Sequence, residues 1–216
     1  MCGIAGFVDY KKSSGTDLLR SMTDALLHRG PDDGGHEVYE PSQASIGFGQ
    51  RRLSILDLSP LGHQPMHFGD LIVNFNGEIY NFKEIRQELV EKGYSFTSWS
   101  DTEVILKGWH CWGPDVIQKF IGMFAFALYD KQKEQVILIR DRAGIKPLYY
   151  YQGQDILLFG SELKALFPHP ARTARPYARR SAPGSRSRLS RPRSIVLSGN
   201  SWVFVPSSCF QADAFR

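Results

Sequence analysis

MCGIAGFVD, residues 1–9, is the stretch on which the reading of this chain turns. From Gly3 to Asp9 small and apolar residues alternate, the pattern of a buried first strand. Such a strand would hold Cys2 inside the fold at its leading end. If Met1 is removed, Cys2 becomes the amino-terminal residue and carries both a thiol and a free α-amine. Free α-amines titrate near ~8 and thiols near ~8.5, so both groups exchange protons near neutral pH. That combination is a nucleophile with its own general base. Taken alone, a Cys at position 2 is an ordinary occurrence, so the weight rests on the motifs further along the chain.

With 216 residues, 42% hydrophobic and 12% aromatic, the chain suffices for one domain with a sizeable core plus an appendage. No apolar run reaches the ~18 residues of a membrane span. Residues 1–15 lack the charged and apolar regions of a secretory signal. These readings place the protein in the cytoplasm, away from membranes. Cys2, Cys111 and Cys209 have neither metal-ligand spacing nor the even number of a disulfide framework. Cys111, within WHCWG, reads as a small buried hydrophobe. The net charge of +4 is unevenly divided. Residues 171–216 hold nine Arg, no Lys and one acidic residue, whereas the first 170 carry 17 basic and 21 acidic side chains. The basic character belongs to the tail, so whole-chain charge is no argument for nucleic acid as a partner.

After the first strand, Thr16 or Asp17 is placed to cap a helix whose apolar face is Leu18, Leu19, Met22, Ala25 and Leu26. HRGPDDGG (28–35) reads as a loop, and HEVYE and ASIGFGQRRLSILD as strands. LGHQPMHFGD (61–70) reads as a loop before LIVNFNGEIYN, a strand ending in an Asn-Gly turn. Asn81 with Glu84 suggests a capping box for a helix stopped at Gly93, and Ser100 or Asp101 caps the next, TEVILKGWHCW. GPDVIQKF is a short helix. GMFAFALYD, QVILIRD, PLYYY and DILLFGS form a run of apolar strands, and ELKALF closes as a helix. Strands apolar on nearly every residue need cover on both faces, which favours an α+β sandwich with helices outside two packed sheets.

Seven stretches in order, MCGIAGF, HRGPDD, QRRLSILD, NFNGEIYN, SDTEVIL, GMFAFALYD and RDRAGIKPLYY, cover residues 1 to about 168. Together they resemble the glutaminase domain of glutamine-hydrolysing asparagine synthetases, class II glutamine amidotransferases of the Ntn-hydrolase superfamily. The resemblance implies a four-layer αββα sandwich over residues 1–170 and L-glutamine as substrate. It implies that Cys2 attacks the side-chain amide, with Asn76 and Gly77 forming the oxyanion hole. Fixed donors at such a hole are typically worth ~3–4 kcal/mol of barrier. Arg52 matches the position that grips the α-carboxylate, which suits the planar fork of a guanidinium. Asp101 matches the residue that holds the substrate ammonium, Glu78 contacts the substrate, and Leu53, Ser54, Ile55 and Leu56 line the pocket. The glutaminase half needs no metal or cofactor. ATP and Mg belong to a synthetase half, which the resemblance does not reach here, and a homodimer is the assembly it allows.

Other residues take blander roles. Arg51 reads as a solvated neighbour of Arg52, Asp32 and Asp33 as loop stabilisers, and Asp141 and Lys146 as ordering a turn or a domain contact. The six His residues show no metal-binding pattern. Beyond residue 170 the sequence turns Arg-, Pro- and Ser-rich, a composition expected to be disordered. SIVLSGNSWVFVPSS within it suits a hairpin or a sticky segment. The abrupt loss of Lys suggests translation out of frame. Three rival readings stand beside the enzyme: a non-catalytic relic, a nucleic-acid-binding module acting through the tail, and an Ntn amidase for another amide.

Overall fold

Alternation fixes the first strand, β1 (Gly3–Asp9), every residue of which is buried. In this computed structural model the described residues are 1–54, 59–172, 194–196, 202–206 and 213–215. The order continues α1 (Thr16–Asp24), β2 (Asp33–Tyr39), β3 (Ser45–Arg52), β4 (Met66–Phe68), β5 (Leu71–Ile79), α2 (Phe82–Glu91), α3 (Asp101–Trp112) and α4 (Val116–Lys119). It then runs β6 (Gly122–Asp130), β7 (Gln135–Arg140), β8 (Tyr149–Gln152) and β9 (Ile156–Gly160). Three short strands follow, β10 (Ser194–Val196), β11 (Trp202–Pro206) and β12 (Asp213–Phe215).

Two six-stranded sheets result, ordered β10-β8-β9-β1-β3-β2 and β12-β11-β7-β6-β5-β4. Every strand pairing is antiparallel. Three apolar layers separate the elements. Ile4, Val8, Ile46, Phe48, Ile72 and Phe159 pack between the sheets. Ala5, Phe7, Leu19, Met22 and Leu158 pack between the first sheet and α1. Val73, Phe75, Ile85, Leu89, Val104 and Phe126 pack between the second sheet and α2 and α3. This is the four-layer αββα sandwich that the sequence resemblance implies. Both faces of each sheet are covered, which is why strand residues such as those of β9 are apolar without alternation.

Several local expectations need correcting. Gly15 stands at the amino end of α1 without a side-chain cap, and Thr16 is already helical. Asp33, Gly34 and Gly35 belong to β2, because β3 extends its ladder to Arg52 opposite Asp33. Met66–Phe68 is a strand inside a stretch read as loop, paired with Leu71–Val73. Asn76-Gly77 is not a turn: β5 runs through it against β6 to Ile79. A Cβ at Gly77 would lie 2.4 Å from Met123 O, so this glycine serves close strand approach. Asn81 makes no capping bond; its side chain ties Lys119 O and Ile121 N across to α2. Leu163–Leu166 is a 3₁₀ turn rather than an α-helix. β10 joins β8 and β11 joins β7 instead of closing on each other as a hairpin. Most of 171–216, for which disorder is expected, lies outside the described residues. No described helix is long and apolar enough to cross a membrane.

Candidate active site

Strand parity builds the site. Ile4 and Val8 of β1 face the other sheet, so Cys2, two residues before Ile4, points the same way. Ile46 and Phe48 of β3 do likewise, which turns Gln50 and Arg52 inward and Arg51 outward. On β5, Ile72 faces the first sheet, and Asn74, Asn76 and Glu78 follow its parity. Three strands from two sheets therefore aim polar residues into one space at the end of the sandwich. There a cavity of about 330 Å³ is lined by Cys2, Arg52, Leu53, Asn76, Gly77, Glu78 and Asp101, together with Met1, Gly62, Gln64, Met123 and Lys146 among others.

Cys2 is held from both sides. Its Sγ is 3.4 Å from Leu53 N and 3.5 Å from Leu53 O, taking a bond from the amide and giving one to the carbonyl. Its own carbonyl accepts from Arg29 Nε at 2.9 Å, and Arg29 is anchored in turn by Glu162 at 2.9 Å. The strand start is pinned beside it by Ser161, whose Oγ accepts from Ile4 N and whose N–H donates to Ile4 O.

The free edge of β5 supplies the donors. β4 covers β5 only as far as Val73, so the amides beyond it find other partners. Phe75 N–H donates to Gln64 Oε1 at 2.6 Å, and Ile79 N–H donates to Asp101 Oδ2 at 3.0 Å. Gly77 has the parity of both, so its N–H faces the same edge between them. Asn76 is 1% exposed, and its Nδ2 is buried without a hydrogen-bond partner. A buried donor left unmade is costly and rare, and here it sits in the wall of the cavity that also holds the sulfur.

The two charges expected to grip a substrate stand in the same wall. Arg52 is 8% exposed and donates through Nη1 to Ser59 O at 3.3 Å. Gly62 fits against its guanidinium: a Cβ there would fall 2.0 Å from Arg52 Nη2. Asp101 opens α3, but Ser100 does the capping by accepting from Thr102 N at 3.1 Å. The Asp101 carboxylate lines the cavity as well. Burial pushes its pKa up to about 6, the bonds from Ile79 N–H and Thr102 N–H oppose this, and the nearby Glu78 charge adds to the rise. A carboxylate so placed is poised to receive a cation.

Of the residues the sequence singles out, Cys2, Arg52, Leu53, Asn76, Gly77, Glu78 and Asp101 meet in one cavity. Ser54 stands outside the lining, its N–H bonded to Asp32 Oδ2 at 2.9 Å. Ile55 and Leu56 lie outside the described residues. Arg51, expected to be solvated, instead pairs with Asp24 of α1, its side chain 20% exposed. Asp33, within β2, accepts from Gly34 N and meets His63 Nδ1 at 2.8 Å, tying the strand to the segment before β4. Asp141 orders its turn as expected, but Lys146 does not merely serve that turn: its side chain enters the cavity wall. Sequence reasoning misses Gln64 and Gly62, because their places depend on contacts with the β5 edge and with the Arg52 guanidinium that are distant in sequence. Among the described residues no group of three His, Cys, Asp or Glu stands together to hold a metal ion.

Comparison with known proteins places the chain in a family. The sequence model of the family described as a glutamine amidotransferase domain matches residues 1–180. Glutamine-hydrolyzing asparagine synthetase 2 of Bacillus subtilis is 42% identical over 176 residues, taking in 79% of this chain and 23% of its own. Glutamine-hydrolyzing asparagine synthetase 3 of the same organism is 40% identical over 185 residues, 81% of this chain and 29% of its own. The chain thus spans about a third or less of the curated relatives it matches. In fold it is similar to a solved glutamine phosphoribosylpyrophosphate amidotransferase from B. subtilis, with TM-score 0.76 and 17% identity over 100% of this chain and 49% of that one.

Proposed function

The chain belongs to the glutamine amidotransferase domain family, and from that premise we propose that it hydrolyses L-glutamine to L-glutamate and ammonia, with Cys2 as nucleophile. The observation that carries the proposal is the orphaned Asn76 Nδ2, buried in the cavity that Cys2 also lines. An amide under attack develops negative charge on its oxygen, and a preorganised donor there lowers the barrier.

Removal of Met1 frees the Cys2 α-amine. Arg52 receives the substrate α-carboxylate, Asp101 the α-ammonium, and Glu78 and the Leu53 backbone complete the contacts, with Ser54 and residues 55 and 56 beyond. The side-chain amide then lies between the sulfur and the β5 edge. The α-amine takes the thiol proton as Sγ bonds to the amide carbon, and the oxyanion rests against Asn76 Nδ2 and Gly77 N–H. Collapse breaks the C–N bond, the α-ammonium returns its proton to the departing nitrogen, and ammonia leaves a γ-glutamyl thioester. Water, activated by the same amine, adds to the thioester, and the C–S bond breaks to give glutamate and the free thiol. No step calls on a metal or cofactor. In the longer relatives, named as asparagine synthetases, this ammonia would supply an amide nitrogen to a second active site.

An electrophilic glutamine analogue tests the reading. The processed protein gains one adduct at Cys2 by intact mass and releases glutamate from glutamine, whereas Cys2→Ala does neither. An unmodified wild-type chain without glutaminase activity after Met1 removal would leave the non-catalytic reading standing.

A further inference from the structure

Lys146 is a cation in the cavity wall to which the catalytic scheme gives no task. Resting on that scheme, we propose that Lys146 is a positioning residue: its ammonium holds the α-amine of the processed Cys2 in the neutral form that accepts the thiol proton.

The loop that carries Lys146 is built to fix it. Asp141, 2% exposed, accepts from Phe124 N, Ile145 N and Lys146 N. From the other side Arg140 donates to the carbonyls of Gly144 and Lys146. Gly144, at φ +64°, makes the bend that this path requires. At the end of this framework Lys146 is 5% exposed, and among the described residues its Nζ donates to a single acceptor, Met1 Sδ, at 3.4 Å. A thioether is a weak acceptor for a buried ammonium. Once Met1 is cleaved even that contact is gone, and the charge faces a cavity whose new occupant is the α-amine.

Reach supports the pairing. A methionine sulfur lies at most roughly 6 Å from the nitrogen of the next residue, which puts Lys146 Nζ within roughly 9 Å of the Cys2 nitrogen. At an effective dielectric of ~20, a cation at that range lowers the protonation midpoint of an amine by about one pH unit. The other charges around Cys2 are Arg29, neutralised by Glu162, and Arg52, Glu78 and Asp101. Asp32 stands behind Ser54. In the proposed scheme substrate brings a carboxylate to Arg52 and an ammonium to Asp101. Lys146 is the cation that no substrate charge cancels.

Lys146→Met keeps the bulk and removes the charge. In processed protein the α-amine is titrated by competitive acylation, read by mass spectrometry of the amino-terminal peptide, alongside the pH profile of kcat/KM for glutamine. The amine midpoint and the acid limb of kcat/KM should both move up by about one pH unit, giving about tenfold lower activity at pH 6 and equal activity above pH 9. Lys146→Arg should restore both. Unmoved midpoints in folded Lys146→Met overturn the inference. Wild type supplies the check that needs no variant: its amine midpoint must lie below that of an unstructured Cys-Gly-Ile peptide, and an equal or higher one also overturns it. A shifted amine midpoint without glutaminase activity in wild type would instead sink the proposed function and leave the Lys146 effect in place.

Discussion

Replacing Asp101 with Asn should make the protein more stable at neutral pH and poorer at its reaction. The carboxyl is 4% exposed, and its pKa stands at about 6 against an ordinary 3.8. Because the folded value is the higher one, the folded state binds the proton more tightly than the unfolded chain. The group's contribution is therefore full below pH ~4 and is lost as pH rises through about 6. A difference of about two pH units corresponds to about 3 kcal/mol that ionised Asp101 withholds from the fold at pH 7. Asn is isosteric, and its carbonyl oxygen can still accept from Ile79 N–H, the bond that spans 3.0 Å in the wild type. For a domain of this size about 3 kcal/mol is roughly 6–12 °C in Tm. Thermal unfolding of both proteins from pH 3 to 8 is the assay. The variant should melt higher at pH 7, and the gap should close toward pH 3. At pH 7 its kcat/KM for glutamine should fall about 100-fold, as expected for a lost charged hydrogen bond. A Tm gap that is absent at pH 7, or constant from pH 3 to 8, would refute the argument.

Asn76→Ala should lower kcat by about 10²–10³-fold with little change in Tm, since its Nδ2 has no hydrogen bond to lose; steady-state kinetics and thermal melts separate the two effects. Gly62→Ala places a methyl 2.0 Å from the guanidinium of Arg52, a side-chain end that can shift, so KM should rise about tenfold while the fold survives. Gly77→Ala meets main-chain atoms of Met123 and Phe124 instead, and should destabilise the domain outright in a denaturant titration. Glu103→Gln removes the carboxylate from the buried Lys107 ammonium, leaving it Ser95 O as an acceptor, with an expected loss of about 3 kcal/mol at pH 7. Burial alone would raise the Glu103 pKa, but Lys107 and the Ser98 and Thr97 donors hold it at about 2. That stability is present above pH ~4.5 and is lost as pH falls toward 2, the reverse of Asp101 two residues away.

Much of this is legible in the sequence because alternation carries it. The parity that buries Ile4, Ile46 and Ile72 between the sheets also delivers Cys2, Arg52 and Asn76 to one place. The illegible part depends on pairing across long separations. Asn-Gly after an apolar run reads locally as a turn, and only the β6 strand opposite shows that Gly77 lies within a ladder. Met66–Phe68 is too short and too close to Pro65 to announce itself as a strand, yet its early end is what leaves the β5 edge open for Gln64 and Asp101. Ser100 and Asp101 are equal candidates for a cap by composition, and only the folded chain shows that the Ser100 side chain caps while Asp101 also lines the cavity. Lys146 reads as part of a turn because its motif is a turn; that the side chain reaches past the turn into the cavity depends on the Asp141 and Arg140 bonds.

The ladder of β1 with β3 begins at Gly3 opposite Arg51, one residue after the sulfur. Successive strand residues point to opposite faces, so this pairing decides which side of the sheet the sulfur takes. One extra residue left by incomplete trimming buries the amine in a peptide bond, and one residue too few removes the sulfur altogether. In the proposed scheme affinity handles therefore belong elsewhere in the chain, and an expression host must supply the methionine aminopeptidase that exposes the amine.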